Sequence, residues 1–220
     1  MIKYFFFIFL FCISNVYAYE RVHIAVSSNF IEPLDLIKKQ FLKKNKIIIT
    51  TSKGSTAKLF AQIINNAPID IFLSADQLTI KKLPENKKIQ GSEFTYAIGK
   101  LVIFSKTKIL KQLRLEKFLS QKLSNKIVIG NPKFSPYGLA SKQVLESLGI
   151  WSLFKNKIIL ASNINQVSSF IYSGNADLGI ISNSDKLKLK KYEFGYFKEI
   201  PQNLYSSIKQ NVILLENAKN

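Results

Sequence analysis

The chain has 220 residues, 47% hydrophobic and 21% charged, which is enough apolar material for one large or two small cores and too little charge for a disordered polyelectrolyte. Lysine and arginine total 32 against 14 acidic residues, a formal charge of +18 in which Arg21 and Arg114 are the only arginines. One histidine, His23, and one cysteine, Cys12, exclude a His-rich metal site, an intrachain disulfide and a Cys-based zinc site.

Met1–Ala18 (MIKYFFFIFLFCISNVYA) reads as a cleaved secretory signal peptide. Lys3 supplies the positive start, Tyr4–Ile13 an apolar run too short for a comfortable membrane span, and Val16-Tyr17-Ala18 the positions a signal peptidase inspects. Cleavage before Tyr19 implies an exported, periplasmic product with no cysteine and a charge of +17.

Beyond it, strand and helix periods alternate. VHIAVSS (22–28) is a short strand, and in 31–44 Leu34, Ile37 and Phe41 fall on one helical face. KIIITTS (46–52) is a second strand, followed by Gly54-Ser55-Thr56 and a helix with i,i+4 pairs Leu59/Ile63 and Phe60/Ile64. IDIFLSA (69–75) is a third strand. The polar stretch 84–93 interrupts the rhythm, and a second run starts at Gly99. It has strands at 101–105, 126–130, 158–160 and 178–182, with helices at about 138–148 and 165–173 ending near Gly149 and Gly174. Asn211–Leu215 forms a last strand. This pattern predicts an α/β chain of two lobes, each a mostly parallel sheet flanked by helices. Residues 19–95 plus 183–220 form the first lobe and 96–182 the second, with hinge crossings near 93–99 and 182–186.

Ligands of open α/β sheets bind beyond the carboxyl ends of the strands, where helix first turns offer unpaired N–H groups. Ser27-Ser28-Asn29 and Gly54-Ser55-Thr56 place neutral hydroxyl and amide groups at two such junctions. They are either ordinary N-caps or donors for an oxyanion. The loop NPKFSPYG (131–138), stiffened by two prolines, positions Tyr137 at a third junction, over a ligand or packed on the surface.

The segments IAVSSNF (24–30), GSTAKLFAQI (54–63), APIDIFLSAD (67–76), IGNPKFSPYGLASKQVLESLGIW (129–151), NINQ (163–166) and NADLGIISNSD (175–185) carry a resemblance to the periplasmic molybdate-binding proteins of ABC importers. It runs from Val22 to about Glu216 and implies a type II periplasmic-binding-protein fold, two lobes joined by two hinge strands. It also implies one molybdate or tungstate ion held in the interlobe cleft, no other cofactor, no cationic metal, a membrane permease as partner, and a monomer that is not an enzyme. Carried over position by position, the oxyanion contacts are Ser28, Asn29, Ser55 and Thr56 in the first lobe and Tyr137 and Ile164 in the second. Many relatives place a tyrosine where this chain has Ser182; here the Pro-Tyr-Gly tyrosine, Tyr137, takes the closing role and Ser182 is a departure. Relatives also continue past the NVILLENAKN region with a helical segment on the first lobe, so the resemblance implies marginal stability that improves with ligand.

Neutral dipoles suit a dianion, because hydrogen bonds to a charged acceptor are strong and no buried lysine need be desolvated. Cavity size would separate molybdate from sulfate, and a donor-only shell would disfavour protonated phosphate. Three rivals remain: the same fold binding another oxyanion such as sulfate, a basic nucleic-acid-binding protein, and a serine hydrolase. The lysines form no arginine-rich cluster or recognised nucleic-acid module, and His23 sits inside a strand rather than beside an expected nucleophile.

Overall fold

The computed structural model describes residues 20–106, 114–121, 126–154, 156–189 and 195–218; the expected signal peptide and Cys12 lie outside the described residues. The chain opens with β1 (Arg21–Ser27), α1 (Ile31–Phe41), β2 (Ile48–Gly54), α2 (Thr56–Ile64), β3 (Ile71–Leu73), α3 (Gln77–Lys81) and β4 (Phe94–Gly99). It continues with β5 (Leu101–Ser105), α4 (Leu115–Gln121), β6 (Ile127–Gly130), α5 (Pro136–Ser147), α6 (Trp151–Phe154), β7 (Ile158–Ala161) and α7 (Ile164–Tyr172). β8 (Leu178–Ser182), α8 (Lys186–Leu189), β9 (Tyr196–Glu199) and β10 (Ile208–Leu214) complete it.

Two five-stranded sheets result, ordered β2-β1-β3-β10-β4 and β7-β6-β8-β5-β9. In each, the first three strands run parallel and the last two are joined by antiparallel ladders. Each sheet is therefore mixed around a parallel core, and the expected two-lobed α/β architecture holds.

Period-two alternation sorts the first sheet's side chains. Ala25, Phe72 and Ile213, in register across β1, β3 and β10, pack with Leu59 and Ile63 of α2 and Ile80 of α3. Ile24, Val26, Leu73 and Val212 face the other way and pack with Ile31 and Leu34 of α1, with Phe30 and Tyr96 among the partly buried residues against them. Here one expectation is corrected: Ile37 and Phe41 are 52% and 46% exposed, because α1 lies over the sheet by its first turn alone. Of the two pairs expected in α2, Leu59/Ile63 is buried and Ile64 is exposed. The second sheet is buried on both faces, by Val144 and Leu145 of α5 and Val167 and Ile171 of α7 among others. Each such fully buried aliphatic side chain contributes about 1.5–3 kcal/mol.

Local signals set the helix ends. Ser135 caps α5 by accepting from the Gly138 N–H, Pro136 supplies the first helical position, and Gly149 at φ 69° ends it. The helix thus begins two residues before the expected start. The α7 stop at Gly174, φ 78°, follows the same rule.

The outward crossing is the short step Gly99-Lys100-Leu101 from β4 into β5, so 97–99 pair within the first sheet and 96 belongs to its strand β4. The return crossing is not near 182–186. After β8 the chain stays with the second sheet, because β9 pairs antiparallel with β5 and Phe197 stacks on Phe104 at 5.2 Å. The return runs through Ile200–Ser207, where Tyr205 is buried and its hydroxyl accepts from the Leu101 N–H at 3.1 Å.

Candidate functional site

The expected contact residues all lie at carboxyl ends of strands. Ser28 and Asn29 occupy the 3-10 turn Ser28–Phe30 after β1, and Ser55 caps α2 after β2 by accepting from the Lys58 N–H at 3.4 Å. Thr56 and Ile164 hold the first positions of α2 and α7, where the N–H groups fall outside the intrahelical ladder. Tyr137 stands in the first turn of α5 after β6, and Ser182 closes β8. All seven are buried.

The first lobe is knitted at this end by Ser27 Oγ and Thr56 Oγ1, 2.9 Å apart, which also accept from the Ala75 N–H at 3.2 and 3.4 Å. Contacts then cross between lobes. The Ala57 N–H donates to the Phe134 carbonyl at 3.4 Å, bringing the start of α2 against the loop that carries Tyr137. Asn29 Nδ2 donates to the Tyr137 hydroxyl at 3.4 Å, and α7, with Ile164 at its start, packs on the Ser28–Phe30 turn.

Two residues with no motif around them complete the cluster. Gln210 of β10 accepts from Asn29 Nδ2 at 2.6 Å and donates to the Tyr137 hydroxyl at 3.1 Å. The Tyr96 hydroxyl of β4 donates to Gln210 Oε1 at 3.1 Å and lies 3.2 Å from the Ser74 carbonyl. Desolvation pushes the Tyr137 and Tyr96 hydroxyls above the usual phenol range, so both stay protonated. The signal for Gln210 was faint: an amide pair, Gln210-Asn211, opening an apolar run.

Among the described residues Ser182 makes no hydrogen bond with Tyr137. Its hydroxyl lies 2.9 Å from that of Ser184, which donates to the Asn29 backbone carbonyl at 2.5 Å, so this pair braces the Asn29 turn. Asp185, one residue on, is buried; desolvation first of all lifts its pKa from 3.8 to about 7, against hydrogen bonds from Ser182. His23 does lie beside a serine: its Nε2 is 2.9 Å from Ser52 Oγ. Asp70, which would orient the ring in a triad, accepts from the His23 backbone N–H instead. Among the described residues no group of His, Cys, Asp and Glu is placed to hold a metal ion.

A cleft of about 590 Å³ opens between α2 and α3 on one side and the Pro132–Pro136 loop and α5 on the other. It reaches the cluster at Thr56, and Lys82, Lys133 and Lys209 line it. The three lysines are exposed and Asp76 lines the cleft with them, so the cationic side chains can attract an anion to the cleft without being buried against it.

Close packing at Gly99 holds the Tyr137 ring. A Cβ there would overlap the Tyr137 hydroxyl and stand 2.8 Å from its Cζ and 3.1 Å from Ile208 Cβ. Gly99→Ala is expected to cost about 1–3 kcal/mol of stability and to displace the phenol. Thermal melting and anion titration of the variant check both effects.

Two mixed α/β lobes joined by two crossings, with neutral hydrogen-bonding groups of both meeting at the seam, are the architecture of the two-lobed solute-binding proteins. The chain belongs to the bacterial extracellular solute-binding protein family, whose sequence profile matches residues 22–220. It is similar to the molybdate-binding protein ModA of Azotobacter vinelandii, 37% identical over 201 residues that cover 90% of this chain and 79% of that protein. The molybdate-binding protein ModA of Rhodobacter capsulatus is 34% identical over 196 residues, 87% of this chain and 75% of that one. The solved Azotobacter vinelandii periplasmic molybdate-binding protein superposes with a TM-score of 0.81 at 32% identity, covering 90% of this chain and 87% of that one. The sulfate-binding protein SubI of Mycobacterium tuberculosis, TM-score 0.70 and 10% identity over 91% of this chain and 77% of that one, shares the fold alone.

Proposed function

We propose that this protein captures molybdate or tungstate between its lobes and delivers it to the membrane permease of an ABC importer, after export to the periplasm by the cleaved Met1–Ala18 segment. It acts as a monomer, without a further cofactor and without nucleic acid. The observation that carries this reading is the contact of Asn29 with Tyr137 across the seam, since it joins the two lobes through groups that suit an oxyanion. Names of relatives 34–37% identical support the choice of ion.

In this mechanism the first-lobe groups Ser28, Asn29, Ser55 and Thr56 take some of the oxygens, and the Tyr137 hydroxyl and Ile164 N–H complete the shell as the lobes close. Binding involves no bond making. Selectivity over sulfate comes from the size of the shell.

Calorimetric titration with molybdate, tungstate, sulfate and phosphate tests this directly. Heat is expected from the first two, and no heat from either overturns the reading. Tyr137→Phe is expected to weaken molybdate binding by about 1–3 kcal/mol, the worth of one hydrogen bond to a charged acceptor. An unchanged affinity removes Tyr137 from the site.

A further inference from the structure

The Tyr137 hydroxyl has one proton to give and two lone pairs that can accept. Two amide N–H groups already point at its oxygen: Gln210 Nε2 at 3.1 Å and Asn29 Nδ2 at 3.4 Å. Among the described residues no hydrogen bond runs from this hydroxyl to an acceptor, so its proton is the function left over. Gln210 is itself held from both sides. Its carbonyl takes the second interaction of Asn29 Nδ2 and the Tyr96 hydroxyl, and the residue is 4% exposed. The backbone supports this aim, because the β10–β4 ladder slips between Gln210 and Asn211, the kind of irregularity that redirects a side chain.

We propose that Gln210 is a positioning residue that fixes Tyr137 as an obligate hydrogen-bond donor, so that the site prefers oxyanions carrying no proton over those that carry one. The inference rests on Tyr137 being a ligand contact, as proposed above. Molybdate, tungstate and sulfate present only acceptors at neutral pH. Hydrogen phosphate also presents a P–OH group that needs an acceptor, and a hydroxyl whose lone pairs are occupied offers none. Glutamine suits this position because one amide supplies both the donor that fills Tyr137 and the acceptor that anchors Asn29. Glutamate would reverse the polarity, accepting the Tyr137 hydroxyl's hydrogen bond and setting a negative charge beside the anion.

The test compares molybdate with inorganic phosphate at pH 7.5 by equilibrium titration of the wild-type protein, Gln210→Met and Gln210→Glu, with near-UV circular dichroism as the check on folding. Gln210→Met keeps the length and removes both polar atoms. It is expected to weaken molybdate about 10-fold while phosphate is unchanged or tightens, narrowing the ratio of the two affinities by about 10-fold or more. Gln210→Glu is expected to weaken molybdate by about 100-fold or more. Tyr96→Phe, which removes the hydroxyl that anchors the Gln210 carbonyl and leaves both Gln210 polar atoms in place, should narrow the ratio about 2- to 5-fold. A merely structural role would weaken both anions together, so an unchanged ratio in folded Gln210→Met overturns the proposal. Should that variant fail to fold, an unchanged ratio in Tyr96→Phe or an unchanged molybdate affinity in Gln210→Glu overturns it instead. A wild-type protein that takes no molybdate defeats the functional reading as well. One that takes molybdate and loses affinity in Tyr137→Phe, with the ratio unmoved by Gln210→Met, defeats only the role given to Gln210.

Discussion

Asp185→Asn is expected to abolish a pH dependence of stability of about 4 kcal/mol between pH 4 and pH 7. Burial in the turn after β8 raises this carboxyl from 3.8 to about 7, only partly offset by hydrogen bonds from Ser182 and by the Lys188 charge, while Glu32 on α1 adds repulsion. Among the described residues Asp185 Oδ2 has no hydrogen-bond partner. Over this window the folded chain keeps a proton that the unfolded chain releases, so stability falls as pH rises and levels off above about pH 7. About three pH units at about 1.4 kcal/mol each give the total. Asparagine does not titrate, but its buried amide leaves a donor without a partner, which costs about 1–3 kcal/mol. The variant should therefore be more stable than wild type by about 1–3 kcal/mol at pH 8 and less stable near pH 4.5. Urea midpoints across pH 4.5–8.5 read this crossing of the two curves; parallel curves would refute it.

The segments legible in the sequence are those whose burial follows a local period. β1, β6 and β8 carry short apolar stretches (IAV, IVI and LGII) and α2 a clear i,i+4 pair, so the parallel cores and the junctions that follow them could be placed from residue order. β4 and β9 could not. FTYAIG and YFKE are edge strands with mixed exposure, and only pairing with β10 and β5 makes them strands. Missing β9 is what moved the expected return crossing too early. The face of α1 failed for a related reason: Ile37 and Phe41 have the right spacing, but spacing cannot report whether anything lies opposite. At the site, Asn29, Thr56 and Tyr137 stand at strand-to-helix junctions and could be found one by one. Gln210 and Tyr96 join them through a ladder irregularity between residues distant in sequence, which no local pattern encodes. Three exposed lysines line the cleft, where the lysine surplus favours the arrival of an anion.

Gly138→Ala is expected to be strongly damaging to the second lobe. The start of α5 lies so close to the end of β6 that a Cβ on Gly138 would overlap the Gly130 carbonyl oxygen and stand 2.7 Å from its carbon and 2.8 Å from the Asn131 carbonyl carbon. These are backbone atoms held by the β6–β7 ladder and by the Asn131 N–H bond to the Ala161 carbonyl, so no side chain can swing aside. Relief requires α5 to lift away from the sheet, which stretches the Ser135 cap on the Gly138 N–H and carries Tyr137 out of reach of Asn29 and Gln210. Overpacking of this kind costs about 3 kcal/mol or more where backbone must move. Gly54→Ala is the matching control. Gly54 belongs to the GST sequence that first marked the site, yet a Cβ there meets nothing nearer than 3.6 Å, so its loss should be nearly neutral. Urea denaturation of the two variants should show a large fall in midpoint for Gly138→Ala and almost none for Gly54→Ala. Molybdate affinity should follow the same order, because the glycine that the site needs is the one that seats the helix carrying Tyr137. Equal midpoints for the two would mean that α5 can shift on β6 at little cost, and that the position of Tyr137 is set from elsewhere.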